Sequence, residues 1–308
     1  MNIAVIGSNG FIGKDLTKTL SENPANKIFL FGKSDILGFN ELMPYTKINL
    51  SDQDKVEKHF AEIDLVYYLA SESIPSTSWD KPALEIEKNL LPFIRFLECI
   101  ANLQVKKIVF VSSAGTIYGS TKEKVTEDSV KNPFSPYGIT KLTMEYYLSY
   151  FKSRFGLNYD IYRVSNVYGA GQDTSKGLGI INTFLEKIIS EGKIQIFGNG
   201  EITRNYIYIK DVGELLNLSV ISDLCSSNIY NLSSDDTLKI NDLVGIMKHI
   251  VDEDFSVIYQ DNRDSDNSTI LLDNTKIKLA LPQYKLTNIQ EGIKKTYAHI
   301  KEQLIKKN

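Results

Sequence analysis

Tyr137 and Lys141 stand four positions apart in Ser135-Pro136-Tyr137-Gly138-Ile139-Thr140-Lys141. On a helix that spacing puts both side chains on one face, where an ammonium favours the phenolate and draws the tyrosine pKa below its usual value of about 10. So read, the pair is a general base with its tuning cation. A lone Y-x-x-x-K is common by chance, and a pair on a helix surface is the plainer account of it. Its weight comes from the segment upstream, where the apolar run Ile108-Val109-Phe110-Val111 ends in Ser112-Ser113-Ala114-Gly115-Thr116-Ile117-Tyr118-Gly119. Hydroxyls at the carboxyl end of a buried strand stand where open α/β sheets bind their ligands, and there they can hold a sugar oxygen.

A second constellation lies at the N-terminus. Ile6-Gly7-Ser8-Asn9-Gly10-Phe11-Ile12-Gly13 follows an apolar run and opens a helical pattern through Lys14 to Leu20. Glycines at this spacing permit a tight turn, let the backbone approach a pyrophosphate and bring helix and strand close, with the anion over the helix N-terminus. The spacing is G-x-x-G-x-x-G, which differs from G-x-G-x-x-G. The second candidate strand ends Phe31-Gly32-Lys33-Ser34-Asp35. Gly32 takes the place where a ribose-binding Asp is expected, and Lys33 with Ser34 suits a 2'-phosphate, which points to NADP; Asp35 keeps NAD open. Lys33 is equally readable as a solvated loop lysine. Asn49 and Leu50 are candidates for the adenine pocket, with Asn49 also readable as a turn former.

These groups need a scaffold, and the chain supplies one. Short apolar runs at Asn2 to Gly7, Lys27 to Phe31, Tyr45 to Ile48, Leu65 to Leu69, Lys107 to Ser112 and Tyr159 to Val164 alternate with helical patterns. That is the pattern of β-α units around a doubly wound parallel sheet. After Gly169 the glycines crowd, a helical run follows at Ile180 to Glu191, and the tail from Thr237 reads as small helices and strands. No linker or repeat intervenes, so two closely packed lobes with a cleft between them are expected, crossed by the chain more than once. The loops 71–79 and 170–179 would shape the pocket, with Trp79 either bordering the ligand or anchoring its loop.

Composition sets limits. With 308 residues, 42% hydrophobic, 24% charged and a formal net charge of -3, the chain has the make-up of a folded globular protein and lacks a footprint for nucleic acid or an anionic membrane. No apolar run spans a bilayer and no leader pattern opens the chain, which makes the cytoplasm the default location. Cys99 and Cys225 suggest reduced core residues, and His59, His249 and His299 have no metal-ligand spacing, so no metal is expected.

Together the motifs resemble an extended short-chain dehydrogenase/reductase of the NAD-dependent epimerase/dehydratase family, closest in pattern to its UDP-glucose 4-epimerase-like members. The resemblance runs over nearly the whole length. It takes in Leu69-Ala70, Asn89, Arg163-Val164-Ser165-Asn166-Val167-Tyr168-Gly169, Ile196-Phe197-Gly198-Asn199-Gly200, Thr203 to Val212 and Arg263-Asp264. It implies a Rossmann-type dinucleotide domain over residues 1–166, joined again by about 206–232, and a smaller α+β substrate domain over 167–308. By the same resemblance Leu69, Ala70, Asn89 and Ser112 join the glycine cradle, Tyr137 and Lys141 around NAD or NADP. Arg204 and Arg263 would grip the diphosphate of a nucleotide-diphosphate sugar, a UDP-sugar first among them. Asn166 would touch the diphosphate or sugar, and Gln195 to Phe197 the base. Forked guanidiniums suit diphosphate oxygens.

Departures narrow the activity. Typical 4-epimerases place the hydroxyl that assists the tyrosine at the position of Ala114, so Thr116, or else Ser113, must supply it here. Carboxylates that mark 4,6-dehydratases and decarboxylases are missing at Gly115 and Thr116. The resemblance thus implies a UDP-hexose 4-epimerase, with a reductase of nucleotide 4-keto-6-deoxy sugars using NADP as the rival and a catalytically silent dinucleotide binder behind both. It also implies a role in surface polysaccharide precursor synthesis, and homodimers through the helices bearing Leu90, Phe93, Ile94 and Leu97 and Met144, Tyr147 and Leu148, residues whose spacing alone reads as core.

Overall fold

The computed structural model describes residues 1–35, 43–121, 123–175, 177–221, 224–261 and 269–307. Its first five strands are β1 (Asn2–Ile6), β2 (Lys27–Gly32), β3 (Tyr45–Lys47), β4 (Leu65–Tyr68) and β5 (Lys107–Ser113). In β1 and β4 successive residues are buried whichever way they point, so both faces of the sheet must be covered, the usual condition of a parallel sheet. The sheet has seven strands in the order Asn228–Leu232, Asn158–Val164, β5, β4, β1, β2, β3. The pairings from Asn158–Val164 through to β3 are all parallel. The result is a Rossmann-type doubly wound α/β sheet. β1 lies between β2 and β4, so the chain leaves it toward one edge and later resumes on its other side. Ligands of such sheets bind outside the strand ends at that reversal.

Several limits differ slightly from expectation. β3 stops at Lys47, where Ile48 N already donates to Gly32 O at 2.9 Å, whereas β5 runs on to Ser113 and the next sheet strand starts at Asn158. Helix α1 covers Phe11–Ser21 instead of Lys14 to Leu20, because the helix begins directly after Gly10. Cys99 is buried, but Cys225 is exposed in the turn before Asn228–Leu232, so the expectation of two core cysteines fails there. The tail is not made only of small elements, since Ile289–Lys307 is a 19-residue helix that buries Ile289, Ile293, Tyr297 and Ile300 along one face. Among the described residues no helix is long and apolar enough to cross a membrane.

Contacts divide the chain into two compact units. The first comprises Met1–Ile117, Lys131–Val164 and Val212–Tyr230, and its core is an aromatic chain in which Phe31, Phe60, Phe96, Tyr68, Phe93 and Phe110 meet ring against ring at 4.7 to 6.2 Å. The second comprises Tyr118–Val130, Ser165–Asp211 and Asn231–Asn308. It holds a three-stranded sheet of Thr237–Lys239, Thr203–Tyr208 and Asn166–Tyr168, and two strand pairs, Ser256–Gln260 with Lys193–Phe197 and Leu271–Leu272 with Lys124–Val125.

Candidate active site

The turn between β1 and α1 needs its glycines. Gly7 has φ +87°, and a Cβ there would lie 2.9 Å from Ala70 N; at Gly13 a Cβ would lie 2.3 Å from Gly7 O. Gly10 is the N-cap and has no side chain to satisfy the first helical turn, so the donors around Phe11, Ile12 and Gly13 are left for an anion. Gly7 N is tied to Phe31 O at 2.9 Å and Leu69 N to Ile6 O at 2.9 Å, which sets the β1 turn between the ends of β2 and β4. Ser112 is buried near the end of β5, and its Oγ has no hydrogen-bond partner. A close-approach turn, an uncapped helix start and a buried orphan hydroxyl at the strand ends fit a dinucleotide.

At the end of β2 the residues are already paired. A Cβ at Gly32 would lie 2.8 Å from Tyr45 Oη, which itself donates to Ser34 O at 2.9 Å. Lys33 pairs with Glu72 at 2.8 Å and Asp35 with Lys47 at 2.5 Å. Lys33 thus has a solvent-exposed acidic partner beside it. Asn49 Oδ1 accepts from Ser51 N at 3.1 Å, as a turn former does, and Leu50 belongs to the hydrophobic core.

The tyrosine helix, Pro136–Phe155, starts as its sequence prescribes. Ser135 Oγ accepts from Gly138 N at 3.1 Å, Pro136 fits the first turn, and Gly138 makes room for Thr116, whose carbonyl oxygen would lie 2.5 Å from a Cβ there. Tyr137 N donates to Ser78 Oγ at 3.3 Å. The expected tuning, however, runs the other way. Lys141 Nζ donates to Val111 O at 3.1 Å and sits 4.8 Å from the Phe110 ring centroid and 5.7 Å from that of Tyr137. Burial pushes the Tyr137 phenol up to about 12, reinforced by the Glu85 charge, and burial brings Lys141 down to about 8 against the pull of Glu85 and Glu145. Desolvation dominates both shifts, and the ammonium is turned to a backbone carbonyl and an aromatic face. Thr116 Oγ1 turns back to Ser113 O at 3.4 Å.

Beside this pair sits a loop that motif reading did not single out residue by residue. Ala70, Ser71, Glu85, Asn89, Tyr137, Thr140, Lys141 and Met144 line one small pocket. Ser71 Oγ donates to Ser73 O at 3.0 Å. Asn89 fixes the loop: its Oδ1 accepts from Glu72 N at 2.8 Å, and its Nδ2 reaches Ser73 Oγ and Glu85 Oε2, each at 3.1 Å. Both Asn89 and Glu85 are buried. Asn89 lies in a π turn, Ile86–Leu90, which forms where Pro92 has no N–H to offer Lys88. A readable clue existed, since Glu85 and Asn89 are polar residues four apart on a helix. Behind Lys141, one turn along, Glu145 accepts from the buried Arg163, at 2.7 Å from Nη2.

In the second unit Asn166 and Arg204 stand on neighbouring strands, in the register that sets Tyr206 against Asn166. Asn166 Nδ2 donates to Asn205 O at 2.9 Å. Gln195 and Phe197 lie on the separate strand Lys193–Phe197, opposite Ile258 and Gln260, and Phe197 lines a pocket with Tyr259, Gln260 and Asp261. Arg263 lies outside the described residues. Trp79, in the first unit, meets Phe134 with ring centroids 5.9 Å apart and the planes tilted by 37°, which suits an anchor for its loop.

A model of the NAD dependent epimerase/dehydratase family matches residues 3–232. A Methanocaldococcus jannaschii protein assigned to the UDP-glucose 4-epimerases is 31% identical over 297 residues, covering 95% of this chain and 96% of its own. An Escherichia coli dTDP-4-dehydro-6-deoxyglucose reductase is 27% identical over 311 residues, covering 97% of each chain. Among solved structures, UDP-glucose 4-epimerase of Thermotoga maritima with UDP-glucose is similar at a TM-score of 0.92 and 29% identity, over 99% of this chain and 100% of that one.

Proposed function

The chain belongs to the NAD dependent epimerase/dehydratase family, and from that premise we propose that it is a 4-epimerase of a nucleotide-diphosphate hexose, a UDP-sugar before others. The observation that carries this reading is the single pocket shared by Tyr137, Lys141, Asn89 and Ser71 beyond the ends of β4 and β5. The glycine turn and uncapped α1 would hold the pyrophosphate of NAD, and Lys141 its nicotinamide ribose. Bound NAD supplies reversible oxidation at the sugar's C4. Tyr137 would take the C4 hydroxyl proton on its phenolic oxygen and later return it. The Glu72 carboxylate beside Lys33 is an anion that a 2'-phosphate there would have to approach, which agrees with NAD as the cofactor.

Residues 1–166, with about 206–232, would then serve the dinucleotide and 167–308 the nucleotide sugar. Asn166 and Arg204 are the described residues fitted to the diphosphate, and Arg263 joins them by sequence. Gln195 and Phe197 fit the base. Exposed apolar residues on adjoining helices of the first unit support a homodimer.

The E. coli relative supports the second reading, a 4-ketosugar reductase. Denaturing freshly purified protein and weighing the released dinucleotide separates the two. An epimerase regenerates its cofactor and can retain it, so stoichiometric NAD is expected, together with interconversion of UDP-glucose and its C4 epimer that Tyr137→Phe lowers by about 100-fold or more. An empty protein that binds NADPH better than NADH and turns over no UDP-hexose would shift the assignment to the reductase.

A further inference from the structure

We propose that Glu72, on the loop after β4, is the carboxylate that receives the adenosine ribose of the dinucleotide and so sets the choice of NAD over NADP; the proposal rests on the dinucleotide-binding reading above and deepens it. Doubly wound folds place such an acid near the end of the second strand, where it accepts from a ribose hydroxyl. Here that position is Gly32. A Cβ there would lie 2.8 Å from Tyr45 Oη, which is held by its own bond to Ser34 O at 2.9 Å. The acid has to come from another position.

The sheet order shows which. β1, whose turn carries the glycine cradle, lies between β2 and β4, and neighbouring strands are about 4.8 Å apart. Lys33 directly follows β2, and Glu72 lies on the loop beyond the end of β4 at Tyr68. Lys33 Nζ nevertheless meets Glu72 Oε1 at 2.8 Å, so the pair reaches across the end of β1, beside the cradle. Asp35 is the rival carboxylate near the end of β2, but it pairs with Lys47 at the end of β3, on the side of β2 away from β1. Of the two acids, Glu72 is the one on the cradle side.

The Glu72 side chain is open to a ligand while its backbone is tied down. Glu72 N donates to Asn89 Oδ1 at 2.8 Å, and the buried Asn89 holds Ser73 Oγ and Glu85 Oε2 through Nδ2, each at 3.1 Å. Lys33 takes one of the two carboxylate oxygens. A carboxylate only accepts hydrogen bonds, so it suits a neutral ribose hydroxyl and repels a 2'-phosphate in the same place. Lys33 without its partner would have the opposite preference.

The test is a competition for the site. Purified protein, with whatever dinucleotide it carries, is dialysed to equilibrium against equimolar NADH and NADPH and denatured, and the two released dinucleotides are quantified. Wild type should hold NADH over NADPH by about 10-fold or more. Glu72→Ala should move that ratio toward NADPH by about 10-fold or more, since one ligand loses a charged acceptor and the other gains an unpaired Lys33. Adding Lys33→Ala should take back the gain in NADPH, and Asp35→Ala should leave the ratio within about threefold of wild type. An exposed ion pair contributes little to stability, so the variants should unfold at the wild-type temperature. A Glu72→Ala ratio within about threefold of wild type overturns the proposal, as does a wild-type preference for NADPH or a shift in Asp35→Ala as large as that in Glu72→Ala. A wild-type protein that holds neither dinucleotide overturns the dinucleotide reading itself, and the proposal with it.

Discussion

Lys141 carries a cost that the rest of the fold must offset. It is buried against Phe110 and the Val111 carbonyl, and burial brings its pKa from 10.5 down to about 8. Between those two values the unfolded chain binds a proton that the folded chain does not, so stability rises with pH across that window; below about pH 8 the full penalty is present. The shift corresponds to roughly 3 kcal/mol, of which the lost bond to Val111 O would return part when the lysine is removed. Lys141→Met should therefore abolish turnover yet stabilise the cofactor-free protein by about 1–3 kcal/mol at pH 7. The gain should shrink as pH approaches 10, since wild-type Lys141 then sheds its proton in the folded state. Denaturant titrations at the two pH values read this directly, and a Lys141→Met protein less stable than wild type at pH 7 would mean the ammonium is better solvated than its burial indicates.

Among elements, β5 and its neighbour Asn158–Val164 carry a second buried charge, remote in register from Tyr137: Lys107 Nζ pairs with Asp160 at 2.8 Å, and both side chains are almost fully enclosed. Removing one partner strands the other, so Asp160→Ala should destabilise by about 3–5 kcal/mol, whereas the apolar pair Lys107→Met with Asp160→Leu should recover most of that. Equal losses in the single and double variants, measured by denaturant unfolding, would show that packing and not charge holds the pair. What could be read from sequence follows the same division between local and distant causes. β1, β4 and β5 were legible because strands covered on both faces are continuous apolar runs, and the turn from Gly7 to Gly13 because its glycine spacing is local. The pocket that brings Ser71 beside Tyr137 joins residues far apart in sequence, and the Asn89 clamp sits in a π turn next to Pro92, so neither has a short motif. Helical spacing fixes where Lys141 starts but not where its ammonium ends, at Val111 O, so spacing alone gives the wrong direction for the Tyr137 phenol. The helix Ile289–Lys307 shows no clean apolar run in sequence, because its buried face is interleaved with lysines and glutamates.

At the scale of the whole molecule, what remains unexplained within the first unit is an apolar surface facing outward. Ile139, Tyr146 and Tyr150 recur at helical spacing along Pro136–Phe155, and Leu84, Ile86 and Leu91 lie on the neighbouring helical segments; all six are exposed, Tyr146 to 64%. Of the positions whose spacing reads as core, Phe93, Leu97, Met144 and Leu148 are buried and Leu90, Ile94 and Tyr147 only partly so, and the six exposed residues form a stripe apart from them. Scattered exposed apolar residues are ordinary, but a run of aromatic and aliphatic side chains on two adjoining helices matches the composition of a subunit interface. A formal net charge of only -3 gives little repulsion between copies. A two-fold arrangement would set the Tyr146 helix of one copy beside that of the other, making one self-complementary patch. Light scattering coupled to size exclusion should then give about twice the chain mass at micromolar concentration. Ile139→Glu with Tyr146→Glu should yield a monomer, because each interface would carry four like charges desolvated together, and the monomer should keep bound NAD while unfolding at a lower temperature. A wild-type protein that elutes as a monomer throughout that range would leave the stripe without a partner copy.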